Sequence, residues 1–404
     1  MKFEQSQRLK GVRYDVRGKN MVEAQRMERA GARILKLNIG NLAPFGFDTP
    51  ESMVRAVVAN LPRAEGYADA RGIRSARTAV ANHYQVALNR YVDVNDVYLG
   101  NGVSELISML LQAIVNVGDE ILIPAPDYPL WTAQTTLSGG VPVHYLCDEE
   151  SGWEPDLEDI EAKITDRTRA IVVINPNNPT GAVYSRETLQ KIVDLARKHQ
   201  LIIFSDEIYE KIIYRGKHVF TAELTGDDVL CFTMSGLSKA YRACGYRAGW
   251  VVMTGPLGEA HSIVEGFNLL ANMRMCANVP AQYSIQTALG GYQSIDHLVK
   301  PGGRFYDQLE LAHKLINEIP GVSCEPADGA LYLFPRLDPE YYPVEDDEEW
   351  ALELLKRKKI LVSHGSSFNW PHPDHFRLVA LPEENVLREA IERIGEFCEE
   401  TRVK

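Results

Sequence analysis

The alternation of short apolar runs with longer amphipathic stretches constrains the fold of this chain most strongly. The runs are rich in β-branched residues, and stretches such as 104–119 and 185–199 place apolar residues at helical spacing. Strands alternating with helices form a mostly parallel sheet that helices cover on both faces. The sequence therefore predicts an α/β fold with a large domain built on a seven-stranded sheet. The predicted strands are 34–40, 120–124, 141–146, 170–175, 201–206, 229–235 and 249–253.

The last quarter of the chain has a different pattern. After residue 295, helices and short strands follow each other without regular alternation, which predicts a smaller α+β domain over 296–404. Residues 46–295 then form the large domain, and residues 1–45 form an arm and helix that return to the smaller domain. A chain of 404 residues is long enough for two domains.

Charge and cysteine usage limit the kinds of partner. The net charge of −12 and pI near 5.4 argue against nucleic acid or an anionic membrane as the main partner, although a local basic pocket can still bind a small anion. The six cysteines show no C-x-x-C spacing, as expected of a reducing compartment. The N-terminal stretch lacks an apolar signal region, and no apolar run is long enough to span a bilayer. We expect a cytoplasmic protein.

Two turns at predicted strand or helix ends carry residues suited to binding. "NGVSEL" (101–106) places a glycine and a serine at a helix start, where free N–H groups and the helix dipole attract anions. "NPNNPTG" (175–181) holds Asn178 in a loop that two prolines and a glycine restrict. Each segment by itself is also compatible with an ordinary turn.

Charged residues appear in three further segments. "SDEIY" (205–209) follows an apolar run, so at least one of its carboxylates faces a partly buried crevice and needs a cation or a strong donor. In "SGLSKAYRACGYRAGW" (235–250), Lys239 lies among small residues and could form a Schiff base, while Arg247 could bind a phosphate. Arg377, in the apolar "HFRLVAL", either clamps a carboxylate or forms a salt bridge within the fold.

Taken together and in this order, these segments resemble the class I and II aminotransferases of the fold-type I pyridoxal-phosphate enzymes. The resemblance extends from near residue 11 to the end of the chain and rests on "NPNNPTG", "SDEIY", "SGLSK", "GYRAGW" and "FRLV". Four further segments, "YDVRG", "LNIGNLAPFGFD", "PAPDYPLWTA" and "ANVPAQYSIQTALGGYQS", are similar to bacterial alanine aminotransferases (glutamate–pyruvate transaminases).

The resemblance implies a cofactor, pyridoxal 5'-phosphate, and a role for each residue near its ring. Lys239 would carry the cofactor as an internal aldimine and later act as the general base. Asp206 would pair with the pyridine nitrogen, Asn178 and Tyr209 would hydrogen-bond the phenolic oxygen, and Tyr128 would stack on the ring.

The resemblance also implies a phosphate site, a homodimer and a substrate clamp. Arg247 and the turn formed by Gly102, Val103 and Ser104 would hold the phosphate, with either Ser235 or Ser238. Tyr67 would reach the phosphate of the neighbouring subunit. Arg377 would grip the substrate α-carboxylate, with help from Asn178 and the backbone of Gly40. Tyr14 and Arg17, in "YDVRG", either close over the substrate or belong to an arm packed on the surface, and the sequence leaves both open.

The implied reaction is L-alanine + 2-oxoglutarate = pyruvate + L-glutamate, with ping-pong kinetics. A preference for aromatic or branched-chain donors, or a lyase activity on the same fold, is the alternative. A regulator with a DNA-binding module is not expected, because neither terminus has a basic segment for one. Metal binding at His372 and His375 is not expected either, since no set of ligands converges there. One departure from the family is Arg242, at a position that is commonly small.

Overall fold

The computed structural model describes residues 3–12, 14 and 18–403. Its strands are β1 Leu35–Lys36, β2 Val97–Gly100, β3 Glu120–Ala125, β4 Val141–Asp148, β5 Glu154–Pro155, β6 Thr168–Ile174, β7 Ile202–Asp206, β8 Cys231–Gly236, β9 Gly249–Thr254, β10 Val322–Ser323, β11 Tyr332–Leu333, β12 Arg336–Leu337, β13 Ile360–Leu361, β14 Ser363–His364 and β15 Phe376–Val379. Its helices are α1 Lys19–Arg29, α2 Glu51–Asn60, α3 Arg74–Leu88, α4 Val103–Ile114, α5 Leu130–Leu137, α6 Leu157–Ala162, α7 Arg186–His199, α8 Thr221–Leu224, α9 His261–Met273, α10 Val279–Gly290, α11 Ile295–Leu298, α12 Arg304–Asn317, α13 Asp347–Lys358 and α14 Glu384–Thr401.

A mixed eight-stranded sheet forms the centre of the molecule, in the order β2-β9-β8-β7-β6-β3-β4-β5. The five strands from β8 to β4 pair in parallel, and the outer pairs are antiparallel. Alternate residues of β6 enter two different cores, since Ile171 and Val173 belong to one cluster and Val172 and Ile174 to another. Burial on both faces explains why these strands are almost continuously apolar. The predicted α/β fold is confirmed.

The prediction of which strands form the main sheet was wrong for the first predicted strand and for the two edge strands. Segment 34–40 forms only β1, which pairs in parallel with β13 outside the main sheet. The sheet instead gains β2, paired antiparallel with β9, and the two-residue β5. Both added strands are short and lie next to turns, so their own sequence carries little periodicity. Their pairing depends on partners far away in the chain.

The C-terminal part contains short strands and three long helices, α12, α13 and α14. Strands β11, β15 and β14 form an antiparallel sheet, and β10 pairs with β12. Helix α1 packs here through Ala24 and Met27, which share an apolar cluster with Leu355 and Leu361. The N-terminal segment therefore does contact the C-terminal part, whereas the domain boundaries at residues 45 and 295 stay predictions.

Residues at or just after the carboxyl ends of β6, β7 and β8 meet β15 and β11 of the C-terminal part along one edge of the sheet. Open α/β sheets bind ligands at this edge. No helix in the described part of the chain is long and apolar enough to cross a membrane.

Candidate active site

A cavity of about 700 Å³ opens at the carboxyl edge of the sheet. Residues from both halves of the chain line it, because the parallel strands deliver their C-terminal residues to one side while β11 and β15 close the other. Most of the predicted site residues lie there: Tyr14, Gly40, Val103, Ser104, Tyr128, Asn178, Asp206, Tyr209, Ser238, Lys239, Arg247 and Arg377.

Asp206, the last residue of β7, is a buried acid with weak partners. Its carboxylate accepts one hydrogen bond from Trp131 Nε1 at 3.3 Å and one from the backbone N of Ile208 at 3.4 Å. Burial raises the pKa of Asp206 to about 6, and the bond from Trp131 limits the rise. A buried carboxylate with two long hydrogen bonds can still accept from a cationic N–H donor placed in the cavity.

Lys239 and two tyrosines form the centre of the cavity. The Lys239 ammonium donates to the backbone oxygen of Gly40 at 2.9 Å and lies 5.8 Å from the ring centre of Tyr209. The hydroxyls of Tyr209 and Tyr332 are 2.6 Å apart. Burial opposes ionisation of Tyr332, but the charges of Lys239 and Arg377 lower its pKa overall. Both cations therefore lie close to the Tyr332 side chain.

Arg377 projects from β15 into the cavity and is almost completely buried. Its guanidinium donates to Asn178 Oδ1 at 2.7 Å and to the backbone oxygen of Asn38. The rings of Tyr332 and Phe368 contact it, with centres 4.3 and 4.5 Å from the guanidinium carbon. No carboxylate of the described residues pairs with Arg377, and its Nε has no partner there. This cation is positioned for a bidentate anionic ligand.

The opposite end of the cavity is built to hold an anion. Gly102 precedes helix α4 as its N-cap with a φ of 78°, and a β-carbon there would overlap Arg247 Nη2. Arg247 donates to the backbone oxygens of Cys244 and Asn101 at 2.9 and 3.2 Å, both uncharged acceptors. The helix N-terminus and the guanidinium together form a positive cradle next to Ser104.

The two candidate serines differ in whether they reach the cavity. The Ser238 hydroxyl accepts from Arg247 Nη1 at 3.4 Å and lines the cavity. The Ser235 hydroxyl, inside β8, donates to the buried Glu210 at 3.3 Å and does not line the cavity. The three-residue separation in "SGLS" spans the end of the strand, where the chain turns, so spacing alone could not distinguish the two serines.

A sequence model of the family "Aminotransferase class I and II" matches residues 32–394. The chain belongs to this family. It is 59% identical over 398 residues to an "Alanine aminotransferase" of Mycobacterium tuberculosis (strain ATCC 25618 / H37Rv), covering 98% of this chain and 92% of the relative. It is 54% identical over 395 residues to "Glutamate-pyruvate aminotransferase AlaA" of Escherichia coli (strain K12), covering 98% of each.

Solved structures agree with the fold of this aminotransferase. The crystal structure of an aminotransferase from Escherichia coli superposes with a TM-score of 0.97 at 54% identity and covers 99% of both chains. "Alanine aminotransferase from Pyrococcus furiosus" gives a TM-score of 0.94 at 35% identity, covering 98% of this chain and all of the other.

Three predicted residues of this aminotransferase, Tyr67, Tyr14 and Arg17, have separate outcomes. Tyr67 is 80% exposed and borders a separate groove of about 550 Å³, which Asn278 and Cys276 also line. Tyr14 does reach the cavity, with its hydroxyl 3.1 Å from that of Tyr128. Arg17 lies outside the described residues.

Arg242, the departure from the family pattern, is accommodated in this aminotransferase by backbone acceptors. Its buried guanidinium donates to the carbonyl oxygens of Asp48 at 3.0 Å and Ala240 at 2.9 Å, and to Ser294 Oγ at 2.6 Å. The large side chain therefore ties the turn after Lys239 to two other segments.

Sequence reasoning missed Tyr332 and Trp131. Tyr332 reaches Arg377 because β11 pairs with β15, with Tyr332 opposite Val379, and this pairing leaves no local signal in "GALYLFP". Trp131 is three residues after Tyr128 in "PDYPLW", a spacing of one helical turn. A helix start there could have suggested that Trp131 lies close to Tyr128, although Trp131 is buried behind Asp206 and does not line the cavity.

Proposed function

We propose that this aminotransferase is an alanine aminotransferase that catalyses L-alanine + 2-oxoglutarate = pyruvate + L-glutamate, using pyridoxal 5'-phosphate bound at Lys239. The observation that carries the choice of substrate is the 54–59% identity, over nearly the whole chain, to relatives named for alanine and for glutamate–pyruvate transfer. The buried clamp at Arg377 supports an α-carboxylate substrate.

The residues of the cavity fit the proposed cofactor. The under-partnered carboxylate of Asp206 suits a protonated ring nitrogen, and the cradle of Gly102, Ser104, Ser238 and Arg247 suits a phosphate. Lys239 lines the same cavity and is the amine available to the aldehyde. When bound, the cofactor supplies an electron sink for the carbanion that forms at the substrate Cα.

The other roles follow from the positions of the side chains. Arg377, with the amide of Asn178, would hold the substrate carboxylate and fix which bond at Cα is broken. The Lys239 amine would take the proton from Cα and deliver it again, since it is the base inside the cavity. Tyr128 would cover one face of the ring, and Tyr209 would donate to the ring oxygen.

We also propose a homodimer in which Tyr67 enters the phosphate site of the neighbouring subunit. Its high exposure beside an open groove supports this role, because a large aromatic side chain usually covers apolar surface or a partner. A cytoplasmic location is part of the proposal, and the free cysteines support it.

Substrate choice is tested by comparing kcat/KM for alanine, glutamate, tyrosine and valine with the appropriate oxo acids. We expect alanine and glutamate to exceed the other two by at least about tenfold, which corresponds to about 1.4 kcal/mol. Higher values for tyrosine or valine would replace alanine by an aromatic or branched-chain donor. Incubation with L-alanine alone separates transfer from a lyase reaction, because only a lyase releases ammonia.

A further inference from the structure

The carboxyl group of Asp127 is buried beside the active site but does not line its cavity. It accepts hydrogen bonds from Thr132 Oγ1 at 2.7 Å and from Asn369 Nδ2 at 2.8 Å. His144 Nε2, 3.9 Å from Asp127, is hydrogen-bonded to Thr132 Oγ1 instead. Burial, with the charge of Lys163, lowers the pKa of His144 to about 4, so this ring is neutral at pH 7. Neutral donors therefore hold the acid.

Asp127 joins two segments that are 242 residues apart in sequence. It lies in the loop between β3 and α5, while Asn369 ends the 3-10 helix Gly365–Phe368 in a left-handed conformation with φ 56°. A second bond runs beside the side-chain contact, since the backbone N of Asp127 donates to the backbone oxygen of Phe368 at 2.9 Å. Two adjacent hydrogen bonds therefore hold the loop against the turn.

Each of these segments supports one wall of the cavity. Tyr128 follows Asp127 directly and lines the cavity. Phe368 precedes Asn369, is fully buried, and packs its ring against the guanidinium of Arg377. Separation of the loop from the turn would therefore change the distance between Tyr128 and Arg377.

We propose that Asp127 and Asn369 form a positioning pair, which holds the wall bearing Tyr128 at a fixed distance from the carboxylate clamp at Arg377. Neither side chain lines the cavity, so the pair acts through Tyr128 and Phe368. This inference rests on the proposed function only in requiring that Arg377 bind a carboxylate. Loss of the Asp127–Asn369 hydrogen bond weakens carboxylate binding at Arg377.

Exchange of donor and acceptor tests the pair directly. In Asn369→Asp, two carboxylates face each other, and we expect the Kd for propionate, a non-reacting carboxylate, to rise about tenfold. In Asp127→Asn, the new amide can still accept from Asn369 and donate to Thr132, so Kd stays within about threefold of wild type. In the double variant, the amide now at position 127 donates to the carboxylate now at position 369, and Kd returns to within about threefold.

The measurements use the cofactor-loaded full-length enzyme at about pH 8.5, because burial raises the pKa of Asp127 to about 7 and its carboxylate must be ionised. Calorimetry gives the Kd of propionate without turnover. Steady-state kinetics give KM and kcat, and we expect the KM of alanine to rise more than kcat falls. Cofactor content and the melting temperature are recorded for every variant.

Asn369→Gly serves as a second removal variant, because glycine keeps the left-handed backbone, and we expect about a fivefold rise in Kd. Unchanged propionate binding in both Asn369 variants, or no recovery in the double variant, would overturn the proposal. Wild-type enzyme that fails to bind propionate would overturn the clamp and this pair together. Enzyme that binds propionate but does not use alanine would overturn only the proposed reaction.

Discussion

Two neighbouring carboxylates at the end of β7 show how the pocket-facing and core-facing sides of one segment differ. Asp206 faces the cavity and has two hydrogen bonds, at 3.3 and 3.4 Å. Glu207 faces the core and accepts from Ser205 at 2.7 Å, from His218 at 2.8 Å and from the backbone of Thr221 at 3.1 Å. Both side chains are buried. The state of their hydrogen bonds, rather than burial, separates a group available to a ligand from a structural one.

Two buried arginines repeat this contrast. Arg77 donates to the backbone oxygens of Gly72 and Val94, both at 2.9 Å, and lies 3.5 Å from Asp69. Arg377 is similarly buried, yet no carboxylate of the described residues pairs with it. We therefore expect substitutions on the pocket side to reduce turnover and substitutions on the core side to reduce stability.

Lys239→Ala gives the largest expected effect on the pocket side. Turnover should fall by about 10⁴-fold or more, because the proposed general base and the proposed anchor of the cofactor are lost together. The visible absorbance of the lysine-linked cofactor should disappear as well. Lys191→Ala, at an exposed residue of α7, is the control and should retain both activity and absorbance. A persistent band in Lys239→Ala would exclude this lysine as the anchor.

The neighbouring carboxylates provide the sharpest pair of variants. Asp206→Asn should lower kcat by about 10²- to 10³-fold, because the amide no longer stabilises a cation in the cavity. Glu207→Gln should retain kcat/KM within about threefold but lose about 1–3 kcal/mol of unfolding free energy. Kinetics and denaturant unfolding of both variants measure the two effects. A loss of turnover in Glu207→Gln without loss of stability would contradict a purely structural role for Glu207.

Arg377→Ala should lower kcat/KM by about 10²-fold for every amino acid, since all share the α-carboxylate. Arg77→Met is the matched variant, because methionine replaces the unbranched aliphatic part of the arginine side chain and removes the guanidinium. It should cost about 1–3 kcal/mol of stability with little change in kcat/KM. An unchanged kcat/KM in Arg377→Ala would mean that another group holds the carboxylate.

The pH dependence of folding stability gives a prediction with a smaller expected effect, at His375. Its buried ring bonds Asp374 at 2.7 Å and Glu149 at 3.3 Å. Burial alone would lower its pKa, but these bonds outweigh burial and raise the pKa above 6.5. A raised pKa in the folded state stabilises the protein fully below pH 6.5, and the contribution is lost as pH rises through the folded value.

The matching variant is His375→Gln, compared with wild type by the midpoint of denaturant unfolding. The difference between the two unfolding midpoints should be largest below pH 6.5 and should narrow as the pH rises through the raised folded pKa of His375. A difference that stays constant over this range would show that the charge of His375 contributes nothing to folding.

Sequence patterns predicted those features of this protein that depend on local residue order. The apolar runs predicted the central strands because full burial on both faces requires them. The segments that contain Asn178, Asp206 and Lys239 were found because prolines, glycines or charged residues come at or directly after the ends of apolar strands. The edge strands of the sheet were not predicted, because pairing of the short β2 and β5 depends on other strands of the sheet.

The sequence by itself determined the fold class, the family and which polar residues lie at the ends of the strands, since these depend on periodicity and residue order. Only the tertiary structure decided that Ser238 rather than Ser235 lies beside Arg247 and that Glu207 turns into the core, away from the cavity. It alone placed Tyr332 against Arg377 and Asp127 against Asn369. The direction of a side chain depends on packing partners that lie up to hundreds of residues away, and local residue order does not encode those contacts.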